Sequence, residues 1–232
     1  MAGIWSEEYK FSRMLDVEVL AVEAQHKLGR VPKRSLDKIK RLAAFDVRRI
    51  NEREKITHHD VVAFIDEVCS HIGTEARYFH LGLTSSDILD TALSLQMRRA
   101  ADIILGGVRR LARLMLSQAK KYKYTACIGR THGVHAEPLS FGLKLLSWFS
   151  ELRRQEALLL QARDSISFGK LSGAVGTYSN IDPFVERYVC RRLGLRPEPV
   201  ATQVIPRDRH ALYLGHLAVV GRGLARFALE IR

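Results

Sequence analysis

Leu83-Thr84-Ser85-Ser86-Asp87-Ile88-Leu89-Asp90-Thr91-Ala92 opens the stretch that decides the fold, because no proline interrupts the chain from there to Lys121. Apolar residues recur there at helical spacing, and Ile88, Leu89, Ala92, Leu95, Ile103, Val108, Leu111 and Leu114 are expected to be buried. Thr84 followed three residues later by Asp87 has the form of a capping box, which starts a helix by satisfying its first amides. From Ser86 to Lys121 such a helix would exceed roughly 50 Å at ~1.5 Å per residue. A rod of that length is stable only against other rods, so a bundle is predicted.

Working outward, a first amphipathic helix is read from about Ser6 to His26, ended by a break with Gly29 and Pro32. A second is read from Ser35, taken as its cap, with Ile39, Leu42 and Ala43 on one face. Thr57-His58-His59-Asp60 has the form of another capping-box start, which would put both histidines in a first helical turn. Downstream, Cys127 to Glu137 breaks the periodicity, and Pro138 at a first-turn position restarts a long helix to about Ser165. Gly169 to Gly176 is a glycine-rich loop without the Gly-Lys-Ser/Thr ending of a phosphate loop. A short helix over Pro183 to Leu193 and a last one from about Arg207 to Arg232 complete the chain, and no sustained alternation reads as a strand. The predicted class is all-α: a small helical N-terminal domain over residues 1–84, then an incomplete long-helix bundle over residues 85–232.

Composition narrows the function classes. A hydrophobic fraction of 47% fits a chain that buries a core, and no apolar run is long enough for a bilayer. Trp5, Glu7 and Glu8 near the start exclude a basic-then-apolar export signal, so a cytoplasmic location and no membrane partner are expected. Cys69, Cys127 and Cys190 are far apart and lack CxxC spacing, which argues against both a disulfide framework and zinc. The net charge of +12 favours anionic partners. Much of it lies at helical spacing, as in Arg98, Arg99, Arg109, Arg110 and Arg113, without interleaved aromatics, so a solvated helix face is preferred to a nucleic-acid stripe.

The chemistry-bearing residues fall in four polar segments between the rods: Thr57 to Asp60, His80 to Asp87, Gly129 to Pro138, and Thr202 to His210. Each alone has an ordinary explanation as a cap, linker or turn. Together they supply hydroxyl and amide donors for carboxylates, cations for an anion, and imidazoles that exchange protons near neutrality. His132 and His135 lie across a turn-like segment rather than on one helical face, so no metal is expected, and acid–base chemistry without a cofactor fits the inventory.

Several of these motifs, in order, resemble the adenylosuccinate lyases of the aspartase/fumarase superfamily. They are Ile4 to Glu8 with Leu15 to Ala21, His59 to Phe64, Leu81 to Asp87 with Asp90 to Ala92, Gly129 to Gly133 with Ala136 to Pro138, Gly169 to Gly176, Thr202-Gln203, and Arg207 to His210. The resemblance implies β-elimination of fumarate from adenylosuccinate and from the succinylated aminoimidazole carboxamide ribotide. It implies His132 as the general acid, His59 as a second site histidine, and substrate binding by His58, His59, Asp60, Thr84, Ser85, Thr131 and Gln203. Where this chain has His58, the family commonly has arginine or lysine. The small anionic nucleotide substrate would be bound by a homotetramer whose sites combine segments of three subunits.

The sequence contains no match to the family's Ser-Ser-x-Met-Pro-His-Lys-x-Asn-Pro loop, which carries the catalytic serine, and no arginine-tyrosine segment for the substrate phosphate. A truncated, N-terminal portion, inactive by itself, is therefore expected. Two alternatives remain open on the sequence: another fumarate-releasing lyase of the superfamily, such as argininosuccinate lyase, and a non-catalytic basic helical interaction module.

Overall fold

The computed structural model describes residues 1–232 and is helical, with only two small sheets. Eight α-helices are formed: α1 (Glu7–Lys27), α2 (Lys33–Leu42), α3 (Val47–Thr57), α4 (Asp60–Ile72), α5 (Ser85–Lys121), α6 (Phe141–Ser165), α7 (Pro183–Leu193) and α8 (Asp208–Ile231). The all-α reading holds, and the long proline-free rod is α5. The strands are β1 (Ala126–Thr131), β2 (Val134–Ser140), β3 (Phe168–Gly169) and β4 (Arg196–Pro197). By contacts the chain forms two compact units, residues 1–99 with 166–207, and residues 100–165 with 208–232. Residue 84, the boundary read from the sequence, marks the start of α5, whereas the contact division falls within α5 after Arg99.

In the first unit, α1 starts at Ser6, whose hydroxyl accepts the Tyr9 amide, and it buries Phe11, Met14, Val17 and Ala21. Phe11 stacks on Phe64 of α4 at 5.7 Å between centroids, and Phe45 packs against both. Ile88 and Ala92 of α5, Leu171, and Val185 and Val189 of α7 belong to the same core. Each of these side chains larger than alanine contributes roughly 1.5–3 kcal/mol by leaving water. The ends of α7 follow from its sequence: Asp182 caps it, Pro183 needs no amide partner at the first position, and Gly194 ends it at φ 68°.

In the second unit, Leu105, Val108 and Ala112 of α5 pack with Trp148, Leu152 and Leu159 of α6 and Val220 and Phe227 of α8. Trp148 stacks on Phe227 at 4.8 Å. Gly223 of α8 leaves room for side chains of α6: a Cβ there would lie 2.1 Å from Gln155 Nε2 and 2.6 Å from Glu151 Oε1.

Several local expectations are corrected. Ser35 is a buried residue inside α2 rather than its cap, because the helix already begins at Lys33 after Pro32. Pro138 lies within β2, paired with Ile128, and α6 begins only at Phe141, so the break at 127–137 is a hairpin and not an irregular link. Of the predicted buried face of α5, Ile103 and Leu114 are 38% and 51% exposed, while Leu89 and Leu111 are only partly buried.

Candidate active site

The histidine tract joins two helices. α3 runs through Thr57, and His58 closes it in the left-handed conformation at φ 51°. His59, in extended conformation, then caps α4, its Nδ1 accepting the Val62 amide at 3.5 Å. The capping role read for Thr57 therefore belongs to His59, and neither histidine lies in a helical turn. The Thr57 hydroxyl instead bonds the His59 carbonyl at 3.1 Å. Asp60 turns back on the Val61 amide and pairs with Lys10 at 3.2 Å, so its charge is partly balanced.

His59 Nε2 lies 3.4 Å from Ser85 Oγ, the first residue of α5. With Nδ1 accepting from Val62, a neutral ring carries its proton on Nε2 and donates it to that hydroxyl. Of the capping box read at Thr84, the carboxylate half is formed: the Thr84 amide donates to Asp87 Oδ2 at 2.9 Å, while the Asp87 amide bonds the Thr84 backbone carbonyl at 3.0 Å rather than its hydroxyl. Thus Thr84, Ser85, His59 and Asp60 form one polar cluster at the N-terminus of α5, where unpaired amides and the helix dipole favour a negative group.

The next turns of α5 hold the loops around this cluster. Asp87 Oδ1 accepts from buried Lys170 at 2.6 Å and from the Ser172 amide, and Oδ2 accepts the Gly173 amide. The Leu171 amide and the Tyr178 hydroxyl donate to Glu186, whose carboxyl is pushed up by burial against those two bonds. One turn on, Asp90 takes both guanidinium nitrogens of Arg207 at 3.0 Å and the Ile205 amide at 2.8 Å. Those bonds fix the segment that carries exposed Gln203. Asp87, Asp90 and Lys170 were not among the predicted site residues. Asp87 and Asp90, at i and i+3 behind the threonine that precedes α5, were the available signal.

Thr131 and His132 belong to the second unit. β1 and β2 pair antiparallel, with Thr131 opposite Val134, so the connection is His132-Gly133 alone. Both have positive φ, 53° and 76°, as two-residue type I′ hairpin turns require. A left-handed non-glycine residue is uncommon, and a tip position leaves the imidazole exposed to solvent. The ladder is irregular between Ile128 and Arg130, where a Cβ on Gly129 would meet the Glu137 carbonyl at 2.7 Å. The strands border a cleft of about 870 Å³ lined by Arg130, Thr131, Glu137 and the ion pair Lys144–Glu230, with His132 at the tip rather than in the lining. His80, third of the left-handed histidines, is structural: its Nδ1 lies 2.6 Å from buried Glu18.

With helical rods, short polar connections and histidines held in the connections, the chain belongs to the lyase family, whose sequence pattern it matches over residues 1–232. Within it, the chain is similar to the adenylosuccinate lyases of Bacillus subtilis and Thermotoga maritima, at 49% identity over 232 residues in each case, all of this chain and 54% of the relative. The chain spans about half the length of the curated relatives it matches, and the resemblance read from its motifs is borne out. Among solved structures it is similar to a fumarate lyase from Mesorhizobium sp. BNC1, with TM-score 0.92 and 28% identity over 99% of this chain and 56% of that one. The beta-carboxy-cis,cis-muconate cycloisomerase of Acinetobacter calcoaceticus gives TM-score 0.91 and 27% identity, over 99% of this chain and 56% of that one. No helix is long and apolar enough to cross a membrane.

Proposed function

We propose that the chain is part of an adenylosuccinate lyase, a carbon–nitrogen lyase that releases fumarate from adenylosuccinate, leaving AMP, and from the succinylated aminoimidazole carboxamide ribotide. The observation that carries this reading is the 49% identity to adenylosuccinate lyases along the whole of these 232 residues. The chemistry has two obstacles. The proton removed lies beside a carboxylate and is weakly acidic, so the carbanionic intermediate needs donors already in place. The nitrogen leaves poorly unless it is protonated as the carbon–nitrogen bond breaks.

His132 is assigned to the second obstacle. Its imidazolium gives a proton to the departing nitrogen while the electron pair left on carbon forms the double bond of fumarate. Thr84 and Ser85, at the α5 N-terminus, with Thr131 and Gln203, receive the carboxylates. His59 bonds substrate through the nitrogen now facing Ser85, and Asp60 orients the tract. His58, exposed beside it, adds positive charge only when protonated. No cofactor enters the scheme, and no residue of this chain is assigned as the base. We further propose a homotetramer in which each site draws on three subunits, working in the cytoplasm, where the three free thiols stay reduced.

The test is substrate choice by the whole protein carrying this chain. Fumarate should form from adenylosuccinate and not from argininosuccinate; the reverse preference would reassign the enzyme within the superfamily. Assayed alone, the 232-residue chain should turn over adenylosuccinate little or not at all. Full activity of the chain alone would show that it needs no further segment.

A further inference from the structure

We infer that Asp87 and Lys170 are positioning residues, a buried ion pair that sets the first turn of α5, and with it Ser85, against His59. The inference rests on the reading of His59 and Ser85 as site residues. Neither Lys170 nor Asp87 exposes any side-chain surface, and their charged atoms are 2.6 Å apart. The one carboxylate receives four donors: Lys170 Nζ, the Ser172 and Gly173 amides at 3.2 Å, and the Thr84 amide at 2.9 Å. Lys170 Nζ also donates to the Gly173 carbonyl at 2.5 Å. Its backbone is bracketed by the Thr91 hydroxyl, which accepts the Lys170 amide at 3.0 Å and donates to the Lys170 carbonyl at 3.2 Å.

An acid three residues past a helix cap needs no lysine to do its capping work. Nor is a fully buried ion pair a good source of stability, because desolvation offsets most of the attraction and apolar replacements of equal volume are often neutral. What this pair supplies is geometry. It ties the Thr84 amide, directly before Ser85, to a loop that lies 83–86 residues from Asp87 in sequence, so the start of α5 cannot shift without moving the loop. The Ser85–His59 approach of 3.4 Å is at the long end for a hydrogen bond, where a shift of a few tenths of an ångström decides whether the bond exists.

The test uses the whole protein with Lys170→Met, the double variant Lys170→Met/Asp87→Asn, and Thr91→Val as a milder disturbance of the same loop. Three quantities are read: thermal unfolding, the His59 ring resonances in an NMR spectrum assigned with His59→Gln, and kcat and KM for adenylosuccinate. Lys170→Met should lose stability because it strands a buried carboxylate, and the double variant should regain much of it. The His59 resonances should nevertheless stay displaced in the double variant, with kcat/KM lowered about tenfold or more, as misplacement of a binding group does. Thr91→Val should give the same displacement to a smaller degree. A folded double variant with wild-type His59 resonances would overturn the inference, as would a folded Thr91→Val without displacement should the others fail to fold. Absence of turnover in the wild type would instead remove the functional reading, leaving the resonances to decide the positioning role.

Discussion

The conformation of His132 and its proposed chemistry can be separated by substitution. The turn needs positive φ at this residue, which glycine adopts freely and a β-branched residue resists. We predict that His132→Gly leaves thermal stability unchanged or slightly raised yet lowers turnover of adenylosuccinate by ~10²–10⁴-fold, the usual loss of a positioned acid. His132→Val should lower both, and equal activity in all three proteins would show that the hairpin tip is merely a turn. Gln203→Ala and His59→Ala should raise KM as well as lower kcat, since both are assigned to substrate contact. The conformation of His132 was not legible in advance. His-Gly is a weaker hairpin signal than Asn-Gly or Asp-Gly, and neither strand beside it has a buried residue, so no apolar face marks a period of two.

Among the elements, legibility followed burial. The bounds of α5 and α7 were read nearly to the residue, because each presents an apolar stripe, α5 starts behind a Thr-x-x-Asp signal and α7 is bounded by the Asp182 and Gly194 caps. α3 was missed: Ile50 is its one buried residue, so eleven largely polar residues left no periodicity to read. The polar cluster at the start of α5 was legible as residue types, but its partners were not, since the distance from Asp87 to Lys170 in sequence hides a contact that only the fold creates.

One element-level contact carries a pH prediction. Glu23 of α1 accepts from Lys40 of α2 at 2.7 Å and from Tyr188 and Arg192 of α7 at 2.5 and 2.9 Å. Burial alone would raise its carboxyl, but the bonds from Lys40 and Tyr188 outweigh that and hold it at about 2. A carboxyl depressed in the folded state stabilises above its ordinary value of 4.5, and that stability drains away as the pH falls toward about 2. Thermal unfolding across that range should fall more steeply for the wild type than for Glu23→Gln; parallel curves would mean that the clamp contributes nothing. In the second unit, Trp148→Ala removes the ring stacked on Phe227 and should cost about 3–5 kcal/mol in denaturant unfolding.

For the whole molecule, the question is what the rods do with the surface they leave open. Ile103 and Leu114 of α5, Leu143, Leu146 and Leu160 of α6, and Leu224 of α8 are all exposed on helices that should bury such residues. The proposed tetramer accounts for them, and sedimentation of the whole protein at low concentration should find that assembly; a stable monomer would count against it.

The most direct measurement is therefore made on the assembled protein: adenylosuccinate is supplied, AMP and fumarate are followed together, and the wild type is compared with His132→Ala, with binding of adenylosuccinate measured separately for both. Equimolar AMP and fumarate are expected from the wild type, and from His132→Ala a loss of turnover far larger than its loss of affinity, because the proton is delivered only as the bond breaks. A wild type that releases no fumarate, or a His132→Ala enzyme with unimpaired turnover, would contradict it.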